Sequence, residues 1–342
     1  MAEPAPPPSS SPPTFGEEIA RLGQWCRANP AAAALLTILL GGLVYFFAIQ
    51  KLFNSGAITT WVWARQAWNS ENDLEHGVGI LPAAIIVAWL HREDFRSAVK
   101  APSWLGIPVV LLGVLLFVSA AWVQQPRIAI VAFPVLVFGG VLFLWGWRVA
   151  RLAAFPCLFL LFMVPIGFIL SRTVPLQLGV ASIVTSLSNL IGIGVSRDGV
   201  NLLANDGSFQ CQVSGGCSGV RSLMAMALLS SLYGHFTLRA PWQRVLIFCM
   251  ALPFAVVGNI GRVLSIVVVS KLFGSEIGTG PWHDISGFII TIPIAVGAMI
   301  GLAGLLTRDW SKTKAEWLKP ETPAKAAATG EKTVDSPISY DY

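Results

Sequence analysis

Eight runs of apolar residues, near 32–53, 77–91, 104–123, 128–147, 152–171, 217–236, 243–272 and 284–306, constrain this chain more than any other feature. A hydrocarbon core of about 30 Å takes about 20 helical residues to cross. In lipid a segment must satisfy its own backbone polar groups, which a helix does internally. Of the 342 residues, 54% are hydrophobic and only 12% charged, whereas in soluble domains roughly a quarter are charged. The expected fold is therefore an all-α polytopic membrane protein with about eight transmembrane helices. The second run is short. The seventh is overlong and holds Pro253, which predicts a kink or an extension beyond the bilayer.

The flanks read differently. Residues 1–28 open with MAEPAPPPSSSPPTFGEEIA, which is rich in Pro and Ser, and are expected to be a disordered tail. They lack the basic and short apolar regions of a cleavable signal. Residues 311–342 are Lys-, Ala- and Pro-rich and equally tail-like, leaving one transmembrane domain over 29–310 without a detectable repeat. Five cysteines in a membrane chain of this size do not suit a disulfide framework.

The net charge of +5 sits in short clusters between the apolar runs, as topology information and not as a nucleic-acid footprint. Arg21 and Arg27 precede the first run. Arg92, Arg96 and Lys100 follow the second, Arg148 and Arg151 the fourth, Arg239 and Arg244 the sixth, and Arg308, Lys312, Lys314 and Lys319 the eighth. The positive-inside rule then puts both termini and these loops in the cytoplasm. Loops 54–76, 124–127, 172–216 and 273–283 are expected outside, with Gly278 accessible from that side. Trp61, Trp63 and Trp68 read as an interfacial aromatic belt.

Segment 173–194 carries Leu176, Val180, Ile183, Leu187 and Leu190 at helical spacing, with Gln177, Thr185, Ser188 and Asn189 on a polar face. A ninth span there would turn the Arg239/Arg244 loop outward, so the segment is expected to be a re-entrant or interfacial helix. Next comes a small hairpin before the sixth span. Asn205-Asp206-Gly207 supplies its turn, and Phe209, Cys211 and Val213 alternate on one face.

The hairpin leads into Gly215-Gly216-Cys217-Ser218-Gly219, with Arg221 one turn into the next apolar run. By this topology Cys26, Cys157 and Cys249 lie in or toward the cytoplasmic half, and Cys211 and Cys217 outside. His91 and His235 are cytoplasmic, His76 and His283 outside. Arg262, inside the seventh run, is costly in lipid and so points to function. Cys217 at a helix mouth with cations nearby suits a thiolate nucleophile. His283 suits a thiolate partner that later protonates a leaving amine. Arg262 suits a donor to a carbonyl oxygen that becomes negative. Arg221 adds positive potential on the Cys217 face, and Asn259, three residues before Arg262, can orient Arg262 or a substrate carbonyl.

Plainer readings stand beside these. A membrane cysteine is ordinarily a small apolar filler, and Cys211 with Cys217 can form an extracytoplasmic disulfide. His283 can sit at the interface with one edge in water, and His76, beside Glu75 and Asp73, can be simply solvated.

CSGVRSL, the Asn-x-x-Arg of GNIGRV and the His of WHDISG resemble the Cys, Arg and His motifs of the exosortase/archaeosortase family. The likeness extends to EHGVGILPAAIIVAWLHR, FPCLFLLFMVPIGF and PLQLGVASIVTSLSNLIGIGV. Gly216 departs from it, since Ala commonly precedes the family's cysteine. The resemblance implies a membrane cysteine protease or transpeptidase. Its substrates would be exported proteins with a C-terminal sorting tail: a short Pro-Glu-Pro-like signature, a transmembrane helix and a basic end. It implies Cys217 as nucleophile with Arg262 and His283 as partners, while Arg221, Asn259, Ser218 and Gly219 are expected in support from their positions alone. The expected setting is the inner membrane, with the site on the extracytoplasmic side. The expected partners are tailed proteins, membrane lipid and an acyl acceptor. No nucleic acid, cofactor or metal is expected. The competing readings are a transporter or exporter of envelope components, with Arg262 and Arg221 lining the path, and a non-catalytic scaffold for envelope assembly.

Overall fold

A computed structural model of the chain describes residues 15–54, 56–69, 74–165, 174–213 and 220–307. A helix occupies each of the eight apolar runs. Four helices are long and apolar enough to cross a membrane, at Pro30–Ile49, Pro126–Trp145, Pro241–Phe273 and Pro281–Thr307, and shorter apolar helices lie at Gly77–Leu90, Gly106–Trp122 and Val174–Leu190. Large apolar side chains such as Ile38, Leu111 and Phe288 point outward, the arrangement expected where lipid and not water is the surrounding solvent.

The first half comprises α1 (Phe15–Ala28), α2 (Pro30–Val44, ending in a π-turn), α3 (Thr60–Ala67), α4 (Gly77–Leu90), α5 (Arg92–Ser97), α6 (Gly106–Trp122), α7 (Pro126–Trp145) and α8 (Trp147–Phe159, with a 3-10 turn to Met163). Two short strands, β1 (Lys51–Phe53) and β2 (Ile58–Thr59), pair between α2 and α3. The amino-terminal tail expected to be disordered over 1–28 is helical from Phe15 onward. Trp25 of this short helix rests on Trp145 at 6.2 Å. The aromatic belt also needs correcting. Trp68 is buried, and its indole N–H donates to the Met163 carbonyl at 2.8 Å.

The second half carries the candidate site. It runs through α9 (Val174–Leu190), strands β3 (Val195–Asp198), β4 (Asn201–Ala204) and β5 (Gln210–Gln212), α10 (Val220–Thr237), α11 (Pro241–Cys249), α12 (Ala251–Phe273), α13 (Ser275–Thr279), α14 (Pro281–Ser286), a π-turn over Gly287–Thr291, and α15 (Ile292–Thr307). The expected hairpin is β4–β5, with Leu202 opposite Cys211. Its turn contains Gly207 at φ +72, a left-handed conformation that glycine adopts without steric cost. Strand β3 extends it to an antiparallel three-stranded sheet. Asn189 of α9 clamps β3, donating to the Val195 carbonyl at 2.9 Å and accepting from the Val195 N–H at 2.8 Å.

Helix α9 turns its faces differently from expectation. Val180, Ala181, Val184 and Ser188 point inward, while Ile183 and Leu190 are exposed. With lipid outside, apolar residues gain little by facing the protein, so the apolar stripe does not mark the packed face. Together with Phe209, Cys211 and Val213 of the sheet, the inner face of α9 packs on Val263, Ile266 and Val267 of α12.

The overlong seventh run divides at Met250 into α11 and α12. Pro253 falls in the first turn of α12, where its missing N–H leaves no helical bond unmade. Helices α10, α11, α12 and α15 meet around Met226, Ile247, Phe254 and Met299. Where α12 crosses the start of α15, glycines remove the separation. A Cβ on Gly258 would stand 2.6 Å from the Thr291 carbonyl oxygen, and one on Gly261 2.6 Å from Ile294. Close approach through small residues is a common way for membrane helices to pack. Residues 273–283 are mostly two short helices, and Gly278 is buried against Ser270 instead of lying open.

Candidate active site

Arg262 lies in the middle of α12, directly before the apolar patch that receives the sheet. A charged group in a membrane helix is tolerated only where protein or water satisfies it, and α14 does so here. The Arg262 Nε–H donates to Ser286 Oγ at 3.2 Å, and Nη2 donates to the His283 carbonyl at 3.0 Å. Nη2 also lies 3.4 Å from Nε2 of the His283 ring. Ser286 Oγ donates in turn to the His283 carbonyl at 2.9 Å.

A guanidinium has only donors, so Nε2 faces it as a lone pair. The ring proton then belongs on Nδ1, which lies 3.3 Å from Oδ1 of the exposed Asp284. The imidazole thus has a carboxylate beside one nitrogen and an arginine beside the other.

A second tie fixes α14 to α12. Trp282 Nε1 donates to Ser265 Oγ at 3.1 Å, and Ser265 Oγ donates to the Arg262 carbonyl at 2.7 Å. The backbone of α14 is therefore attached on both sides of His283. The turn that follows is a π-turn starting at Gly287, a wider turn that recurs at functional sites. A Cβ on Gly287 would lie 3.8 Å from Arg262 Cζ, so the guanidinium lies close against this backbone.

Of the residues singled out from sequence, Arg262 and His283 are brought into contact. Asn259 is 1% exposed, buried within α12 one turn before Arg262. Arg221 stands in the first turn of α10, and its side chain lies outside the described residues, as do Cys217, Ser218 and Gly219. The segment 214–219 is bounded on both sides by elements packed on α12. Val213 belongs to the buried cluster with Val263, and α10 packs along α12. His76 is half-buried and hydrogen-bonded to the Phe162 backbone. Burial is the main cause holding its imidazole below the ordinary value, against the opposing effects of Glu75 and that hydrogen bond.

Sequence reasoning passed over Ser286, Ser265, Trp282 and Asp284. The available signal was spacing, since Ser286 and Ser265 each stand three residues after a site residue, one helical turn away.

No curated protein and no solved structure shows significant similarity to the chain. Residues 68–301, more than half of its length, match the family model described as transmembrane exosortase. That span holds the Cys217 segment, Arg262 and His283 together, and the chain belongs to the transmembrane exosortase family.

Proposed function

We propose that the chain is a membrane cysteine peptidase or transpeptidase that removes C-terminal sorting tails from exported proteins. The observation that carries this reading is the contact between Arg262 and His283 in a chain of the transmembrane exosortase family, whose Cys, Arg and His motifs CSGVRSL, GNIGRV and WHDISG resemble. Connectivity adds to it, because the four residues from Val213 to Cys217 reach at most about 14 Å. A tail helix anchored in the same bilayer presents its juxtamembrane peptide bond to the site, so membrane anchoring contributes proximity.

In the proposed reaction the Cys217 thiolate attacks the scissile carbonyl carbon, and the carbonyl oxygen takes up the negative charge. Arg262 donates to that oxygen. As the tetrahedral species collapses, the C–N bond breaks and His283, now carrying the thiol proton, delivers it to the leaving amine. The upstream protein remains as a thioester on Cys217, and the tail helix leaves with a new amino terminus. An amine, hydroxyl or water then attacks the thioester. His283 accepts the attacking group's proton, and the Cys217 sulfur is released.

The expected location is the inner membrane with cytoplasmic termini and an extracytoplasmic site. Cys217→Ala should abolish tail removal, read as the mass of the tailed proteins, while the variant still accumulates in the membrane. Normal processing would reject the enzyme reading. Sidedness is tested at Glu276, which is exposed on α13. In a Cys217→Ala background, Glu276→Cys should react in intact cells with a membrane-impermeant maleimide, and protection until lysis would reverse the orientation.

A further inference from the structure

Arg262 is held by two kinds of partner. Ser286 Oγ and the His283 carbonyl accept from it whatever the pH. The Nε2 contact at 3.4 Å exists only while that nitrogen keeps its lone pair. Once the imidazole gains a proton at Nε2, two N–H groups and two positive charges face one another and the contact becomes repulsive. Any mechanism in which His283 carries a proton passes through that state.

Ser286 has the geometry to bridge it. The residue is fully buried, and its hydroxyl is committed in both directions, accepting from Arg262 Nε and donating to the His283 carbonyl. The serine, the carbonyl and the guanidinium therefore form a closed ring of hydrogen bonds that leaves out the imidazole. The charged side chains with a described contact to the ring are Arg262 of α12 and Asp284 of its own helix. Gly287, next in the chain, lies beside the guanidinium.

We propose that Ser286 is a positioning residue that holds the Arg262 guanidinium in one place through both protonation states of His283. The imidazole is then free to leave Arg262 and move its proton, while the donor aimed at the substrate carbonyl stays fixed. The catalytic part of this proposal rests on the peptidase reading above. The tether itself does not.

The test uses full-length protein in lipid nanodiscs with a tailed substrate, and compares Ser286→Ala with wild type. One lost hydrogen bond to a charged group predicts a fall in kcat of about ten- to a hundredfold, with KM changed less than about twofold. The loss should deepen toward acid pH, where the protonated imidazole stops accepting from Arg262 and the serine that also accepts from it is gone. In an Arg262→Lys background, which lacks the Nε–H, Ser286→Ala should cost less than about twofold more. Arg262 in Ser286→Ala should also react faster with phenylglyoxal, read by mass spectrometry. An equal loss at every pH that adds fully to Arg262→Lys would mark a merely structural serine and overturn the proposal. So would unchanged kcat or unchanged phenylglyoxal reactivity. If Ser286→Ala fails to accumulate, Ser286→Cys, close in volume and a weak hydrogen-bonder, is read by the same criteria. Should Cys217→Ala still process substrate, the peptidase reading fails while the phenylglyoxal arm still decides the tether.

Discussion

Two arginine–histidine neighbourhoods in this protein use the same residue types for different ends. At the α10–α11 corner the His235 ring stacks on Phe155 at 3.7 Å with an interplanar angle of 4°, and His91 stands 5.0 Å away. The buried Nδ1 of His235 makes no hydrogen bond among the described residues, and Arg244 Nε donates to the Leu238 carbonyl at 2.9 Å. On α12 and α14, both nitrogens of His283 face polar partners, and Arg262 reaches across from another helix. Ring stacking uses the face of an imidazole and asks nothing of its protons. Engagement at both nitrogens fixes a tautomer and gives the proton a defined place to leave from. The two pairs thus differ in which atoms are occupied, and proximity alone does not distinguish them.

The sharpest way to break this contrast is to remove each histidine. His283→Ala should slow tail removal by about a hundred- to ten-thousandfold, the range of a lost general acid–base, and His235→Ala should leave the rate per folded molecule unchanged. Equal losses measured on purified protein would erase the distinction. A smaller effect is expected from Arg262→Lys, which keeps the charge but gives up the planar fork. It should insert normally, leave Cys217 open to alkylation, and process at least about a hundred times more slowly. Near-normal turnover would reduce Arg262 to a placed charge.

The smallest effect concerns His76. Because burial keeps its imidazole below the ordinary value of about 6.5, the unfolded chain takes up a proton that the folded chain resists. The unfolded state then binds more protons in that window, so stability falls as pH drops below about 6.5. His76→Gln should flatten this slope in the melting temperature without altering turnover at pH 7.5. A slope that survives the substitution would assign it to another group.

Much of this was legible in the sequence. Apolar runs separated by arginines located the helices, because crossing lipid imposes a length and a composition at once. The Asn205-Asp206-Gly207 turn gave away the hairpin. Strand β3, with only Val195 buried among exposed Ser196, Arg197 and Asp198, carries no alternation that reads as a strand. It is held instead by a side chain six residues away, Asn189. Arg262 was legible because a charge in an apolar run is rare. Ser286 and Ser265 were not, since serine is common in membrane helices and its importance appears only when a partner 24 or 17 residues distant arrives.

The glycine contact between α12 and α15 has a mechanical consequence. With Gly258 against Thr291 and Gly261 against Ile294 the two helices are in close contact here, and α14 is stitched to the same surface through Trp282 and Ser286. Arg262 and His283 thus sit on one packed unit, and a shift of either helix carries the other with it.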